Sequence, residues 1–242
     1  MSRATPPRGP RHRRLQERYR AHRIRRFLAP VAPGGELAFD VGANIGEWSA
    51  VLRKLGCQVV AVEPQKECVA EMDRRFAGDA GVRIVQAAVA DWIGSGELRP
   101  STTSSTHASM SAEWRSTAME KGYMPPEAWL EPIEVPVVTL DSLIERHGVP
   151  AYCKIDVEGF EPQALRGLSH PIDGVDFEFH RELTEAVERC VERLDQLGDY
   201  RYRVFVGEWP DAWGPELAAG AVASAVTALE PGIWGMIRAR RL

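Results

Sequence analysis

At 242 residues and 44% hydrophobic content, the chain is long enough for one sizeable α/β domain and too short for a second catalytic one. No stretch reaches the ~18 to 20 apolar residues of a membrane span, and the N-terminus lacks the apolar core of a signal peptide, so the expected location is the cytoplasm. The formal net charge of -4 hides an asymmetry, because residues 1–26 hold ten arginines out of 30 basic residues and leave the remainder acidic.

Met1 to Pro10 has no periodic pattern and reads as disordered. A helix is predicted over residues 12–28, stopped by Pro30 and Pro33-Gly34-Gly35. Its apolar stripe of Leu15, Tyr19, Ile24 and Phe27 is sparse between the arginines. An arginine-rich arm can signal nucleic acid, but a stripe of this kind more simply docks on the domain or on a second subunit. The expected organisation is therefore an arm over 1–33 and a domain over 34–242.

Strands are predicted at 37–42, 58–63 and 83–89, with helices at 46–55 and 65–76 between them. From Asp91 to Pro132 the periodicity collapses into Gly, Ser, Thr and Pro. His107, Met110, Trp114, Tyr123, Met124 and Trp129 give this segment apolar anchors, so it reads as a lid or acceptor-binding insertion over 91–132 rather than an idle loop. A strand at 133–138 and a helix at 139–147 follow, then strands at 151–157 and 175–180 separated by a short helix ending near Gly167. A long helix at 184–197, a strand at 202–206 and a terminal strand at 233–242 close the chain. Strands alternating with helices imply a parallel, doubly wound core, with the last strand inserted antiparallel. Cys57, Cys68, Cys153 and Cys190 form no C-x-x-C pair and read as reduced, mostly buried thiols.

Two runs carry the binding chemistry. Leu37-Ala-Phe-Asp-Val-Gly-Ala-Asn-Ile-Gly46 is a strand breaking into a glycine turn, and Val59-Val-Ala-Val-Glu-Pro64 is a buried strand closing on an acid. Gly42 and Gly46 let the backbone pass close to a ligand, while Glu63 lies where a carboxylate can accept both ribose hydroxyls. A dinucleotide turn needs G-x-G-x-x-G, but here Asp40 precedes Gly42-x-x-x-Gly46. A carboxylate there repels a pyrophosphate and suits a cationic amino-acid end, which points to S-adenosylmethionine.

In an open α/β sheet, ligands bind beyond the carboxyl ends of the strands. The polar residues at that edge are Asp40, Glu63, Asp156, Glu158, Glu178 and His180, with Asp91 a weaker member. Ala87, Ala88 and Val89 offer a flat wall for adenine. Lys154-Ile-Asp-Val-Glu-Gly159 places Lys154, Asp156 and Glu158 on one face, which is costly unless they pair or hold a ligand. Either a Lys154–Asp156 ion pair merely supports the fold, or Asp156 faces cofactor and acceptor with Glu158 at the turn. Glu178 and His180 alternate with Phe177 and Phe179 and share a face, so a neutral His180 is a candidate general base. Asp156, Glu178 and His180 could instead hold Mg²⁺, but a hard cation prefers an all-oxygen set, so no metal is assigned.

These residues carry a family resemblance. Asp40-Val-Gly-Ala-Asn-Ile-Gly46, Val62-Glu-Pro64, Pro136-Val-Val-Thr-Leu-Asp141, Lys154-Ile-Asp-Val-Glu-Gly159 with Glu161, and Phe177-Glu-Phe-His180 resemble the successive motifs of the FkbM methyltransferases over roughly residues 36–182. The resemblance implies a class I, Rossmann-like methyltransferase fold: α/β, doubly wound, with a mostly parallel seven-stranded sheet and an antiparallel C-terminal strand. It also implies S-adenosylmethionine-dependent O-methylation of a sugar, polyketide or peptide-derived hydroxyl. By resemblance, Asp40, Gly42, Asn44, Gly46 and Glu63 line the cofactor, with Ala43 and Pro64 beside them, and Lys154, Asp156 and Glu158 border the reaction centre. Two rivals stand beside this reading. A nucleic-acid methyltransferase would use the arginine arm, but amino-methylating enzymes carry a D/N-P-P-Y/W turn where this chain has Asp156-Val-Glu-Gly159. A non-catalytic binding protein would keep the fold alone.

Overall fold

The computed structural model describes residues 10–32, 34–207 and 214–242. The chain runs α1 (Pro10–Leu28), β1 (Leu37–Val41), α2 (Glu47–Leu55), β2 (Gln58–Val62), α3 (Lys66–Arg75), β3 (Val82–Val85) and β4 (Ala88–Val89). It continues through β5 (Gly94–Leu98), α4 (Ala112–Glu120), β6 (Ile133–Val138), α5 (Leu140–His147), β7 (Tyr152–Ile155) and α6 (Glu161–Arg166). Last come β8 (Gly174–His180), α7 (Thr184–Leu197), β9 (Tyr200–Val206), α8 (Ala219–Thr227) and β10 (Trp234–Arg241).

Seven strands form one sheet in the order β3-β2-β1-β7-β8-β10-β9. All neighbours pair parallel except β10, which is antiparallel to both β8 and β9. Strand order reverses between β1 and β7, and the crevice beyond their carboxyl ends is where a ligand of such a sheet belongs.

The side-chain period of two splits each strand between two cores. Phe39 and Val41 of β1 join Val60, Leu140, Leu165, Phe177 and Leu194 on one face. Ala38 joins Val59, Trp48, Leu52, Met72 and Tyr152 on the other. Helix α1 packs on this second face through Ile24, Phe27 and Leu28, so its stripe docks on the domain. Tyr19 stays exposed, and residues 1–9 and the side chain of Leu15 lie outside what the structure describes. Arg238 of β10 fastens α1 to the sheet: it pairs with Asp176 at 2.7 Å and donates to the Phe27 carbonyl at 3.0 Å. Tyr152 donates to the same Asp176 carboxylate at 2.6 Å. All four cysteines are buried.

The structure departs from the sequence reading at one strand and adds elements at two other places. The strand expected at 83–89 is two strands, because the chain turns at Gln86–Ala87 and β4 leaves the large sheet to join a second one of order β4-β6-β5. The 91–132 segment is folded, with β5, α4 and 3-10 turns at Ser105–His107 and Pro126–Ala128. Its serines act as caps: Ser104 accepts from the Thr106 amide, and Ser111 from that of Trp114. Helix α8 was not anticipated, since Ala-Gly-Ala-Val-Ala-Ser-Ala-Val-Thr has no charged face to reveal a helical period.

Candidate active site

The crevice opens into a cavity of about 730 Å³ reaching from the β1 and β2 ends to the β8 end. At its first end, the amides of Gly42 and Ala43 donate to the Val62 carbonyl at 2.9 and 3.1 Å, which bends the β1 turn over β2. Gly42 has φ 73°, and a Cβ there would lie 1.7 Å from the Asp156 carbonyl oxygen, so only glycine lets the β1 and β7 turns meet. Glu63 is buried at the β2 end. Its Oε2 accepts from the Asn44 amide and its Oε1 from the Gln65 amide, both at 2.9 Å. Burial raises its pKa, and these amides only partly offset the rise.

The insertion crosses over this turn. Asn44 donates through Nδ2 to the Ser105 hydroxyl at 3.0 Å, and Gln65 through Nε2 to the Ser105 carbonyl at 2.8 Å. On the opposite wall Arg20 of α1 pairs with Glu47 at 2.9 Å.

Asp40 differs from expectation. It is fully buried and is not among the cavity-lining residues. Ser49 donates to its Oδ2 at 2.6 Å, and Lys154 Nζ lies 3.6 Å from its Oδ1. Its cationic partner thus comes from the neighbouring strand, inside the protein. Lys154 also reaches Asp156 Oδ2 at 3.0 Å, so the ion pair that was one of the two alternatives forms, while Asp156 also lines the cavity. Burial opposes the charge on Lys154, but Asp156 and Asp40 outweigh it and hold the amine above its ordinary range.

At the far end, Glu158, Glu178 and His180 converge. Glu158 sits at φ 54°, a conformation that non-glycine residues rarely adopt, and its carbonyl accepts from Ser109 at 2.7 Å. Glu161 fixes the same turn by accepting from the Val157 and Gly159 amides at 2.9 and 3.3 Å. Burial pushes Glu161 up to about 7. Trp114 of the insertion stacks on the His180 ring, with centroids 3.6 Å apart and planes at 18°. His180 Nε2 lies 3.4 Å from Glu178 Oε2 and 3.7 Å from Glu158 Oε2. Burial drives His180 down to about 4, so the imidazole is neutral at pH 7. Burial and the neighbouring carboxylates push Glu178 and Glu158 well above their ordinary range.

Residues 40–204 match the model of the methyltransferase FkbM domain. The chain belongs to the FkbM methyltransferase family. It is accordingly an S-adenosylmethionine-dependent methyltransferase, and its strand order is that of the class I fold. No curated protein matches the sequence. Among solved structures, it is similar to a putative RNA methyltransferase from Pyrococcus horikoshii, at 10% identity and TM-score 0.48 over 92% of this chain and 82% of that one. It is also similar to precorrin-6Y C5,15-methyltransferase from Geobacter metallireducens GS-15, at 10% identity and TM-score 0.46 over 93% and 86%. A putative methyltransferase from Streptococcus mutans in complex with SAH matches at 11% identity and TM-score 0.43 over 90% and 95%.

Of the residues singled out in this FkbM chain, Gly42, Ala43, Asn44, Glu63, Pro64, Ala87, Ala88, Val89, Lys154, Asp156, Glu158, Glu178 and His180 line the cavity together. Gly46 does not: its missing Cβ makes room for Phe76 and Met72 of the α3 region. Asp91 pairs with Arg166 at 3.0 Å outside the cavity. His107, Met110, Trp114, Tyr123 and Met124 of the insertion reach the cavity, whereas Trp129 packs behind them. Arg20, Glu47, Trp48, Phe160, Glu182 and Trp234 also line it and were not singled out. Only Trp234 had a usable signal, an aromatic opening the terminal strand and pairing in register with His180.

Proposed function

We propose that the chain methylates a hydroxyl group of a small molecule or glycan. The observation that carries this reading is the convergence of Glu158, Glu178 and His180 under Trp114, in the same cavity as Glu63. A hydroxyl must lose its proton as it is methylated, and this end of the cavity concentrates groups able to withdraw it.

On this reading Gly42, Ala43, Asn44, Glu63, Pro64, Ala88 and Val89 hold the cofactor. A carboxylate held by two amides at the β2 end fits a ribose-bearing ligand. When bound, S-adenosylmethionine supplies an electrophilic methyl group. The protein's part is alignment and exclusion of water. Met110, Trp114 and Met124 bring apolar surface over the acceptor end, and residues 91–132 act as its lid. Lys154 holds Asp156 in place at the boundary between the two ends.

The carboxyl groups of Glu158, Glu178 and Glu182 at the acceptor end offer no cationic contact to a phosphate backbone, which favours a small hydroxyl acceptor over nucleic acid. Burying Glu178 Oε2 and His180 Nε2 without a hydrogen-bond partner costs about 1–3 kcal/mol each, which a non-catalytic scaffold has no reason to keep. No helix among the described residues is long and apolar enough to cross a membrane, and we place the reaction in the cytoplasm. The test is transfer of a labelled methyl group to hydroxylated glycans, polyketides and RNA. Labelling of an ether oxygen in either of the first two supports the proposal, and labelling of RNA alone refutes it. His180→Ala should lower turnover by about 10²- to 10⁴-fold while leaving cofactor affinity unchanged.

A further inference from the structure

The same acceptor end contains a donor set that the hydroxyl alone does not account for. His180 Nε2, Glu178 Oε2 and a Glu158 carboxylate oxygen all lie within 4.8 Å of one another. Two of these atoms, Glu178 Oε2 and His180 Nε2, are buried without a hydrogen-bond partner, on residues only 6% and 8% exposed. Polar atoms so placed are rare in a folded protein unless something outside the chain satisfies them.

Charge points the same way. Lys154 is already shared between Asp40 and Asp156. Among the described residues, neither Glu158 nor Glu178 forms an ion pair with a lysine or arginine. Buried carboxylates are stable when paired or when they coordinate a metal.

The donors are also held in place. The Glu158 turn is fixed by Ser109 and Glu161, and the His180 ring by its stack on Trp114. Separations of 3.4 and 3.7 Å between nitrogen and oxygen match two ligands that each stand about 2.0–2.2 Å from one ion.

We propose that Glu158, Glu178 and His180 bind one divalent cation, with open coordination positions facing the cavity. An imidazole beside two carboxylates favours a divalent first-row transition-metal ion over magnesium, and Mn²⁺, which also suits carboxylates, serves as the probe. The sequence-based alternative of Asp156, Glu178 and His180 is thereby changed in one ligand, since Asp156 is engaged by Lys154 and Glu158 takes its place. The site deepens the hydroxyl-transfer reading, on which it rests only for what fills the open positions: there the ion would bind the acceptor oxygen and polarise it.

The test is titration of the metal-stripped full chain with MnCl₂, following free Mn²⁺ by electron paramagnetic resonance and heat by calorimetry. The expected result is one ion per chain. Glu178→Gln and His180→Ala should each weaken binding at least tenfold, since even the loss of outer-sphere partners costs about 10- to 100-fold. Circular dichroism checks that the variants fold, and Glu158→Gln, altered at the partly exposed turn, serves if His180→Ala does not. Absence of stoichiometric Mn²⁺ binding by the wild type, or equal binding by the folded variants, overturns the site. Methylation that proceeds at full rate in chelator also overturns it while leaving the hydroxyl reading intact. Mn²⁺ binding that is lost in the variants supports the site even if no hydroxyl acceptor is ever methylated.

Discussion

Glu63 is placed to serve the fold and, on the proposed reading, the ligand as well. Its Oε2 accepts from the Asn44 amide and its Oε1 from the amide and side chain of Gln65, which fixes the carboxylate at the β2 end, where it lines the cavity. Replacing it with alanine should weaken S-adenosylmethionine binding by about 1.5–3 kcal/mol, the range for hydrogen bonds to a charged group, as read by calorimetric titration. Glu63 and the Glu178–His180 pair were legible because each interrupts an apolar strand at the carboxyl edge of the sheet. Asp40 obeys the same rule yet faces inward. The residues that turn it are Ser49, nine positions on, and Lys154 on β7, the strand paired beside β1. No local pattern announces those partners. Arg20 was equally hidden, since one arginine among ten carries no mark of its position.

At the scale of elements, strands of the large sheet stood out because apolar runs bounded by turn residues persist whatever packs on them. The insertion did not stand out. Helix α4 spans nine residues and buries only Trp114 and Ala118, so its stability comes from tertiary contacts rather than periodicity. Two hydrogen bonds that Ser105 accepts, from Asn44 and Gln65, tie this insertion to the proposed cofactor end, and Trp114 ties it to the proposed acceptor end. Cofactor and acceptor together should therefore slow amide hydrogen exchange at 104–107 and 112–124. Unchanged exchange in these stretches, with both ligands bound, would make the insertion a fixed wall. The merging of β3 and β4 in the sequence has a simple cause: both are apolar, and the Gln86–Ala87 turn contains neither glycine nor proline.

Across the whole molecule, one buried network joins regions far apart in the chain. Arg238 of β10 meets Asp176 of β8 and the Phe27 carbonyl of α1, with its guanidinium 4.1 Å over the Phe27 ring. Breaking such a pair strands a charge in the interior. Asp176→Asn should thus lower stability by about 3–5 kcal/mol in denaturant unfolding, far from the cavity and without direct effect on ligand contacts. The C-terminal half of the arginine-rich helix, through Ile24, Phe27 and Leu28, is consequently packed into the folded body. The stack of Trp114 on His180 has a use beyond packing. An indole held face to face with an imidazole has its excited state quenched according to that ring's charge and distance, so the emission of Trp114 is a label-free optical gauge built into the site. Ligand entry that lifts α4 or alters the imidazole should change the fluorescence in real time. Trp114→Phe, which leaves the other six tryptophans, Trp48 and Trp234 of the cavity among them, should remove the share of that signal that comes from the stack.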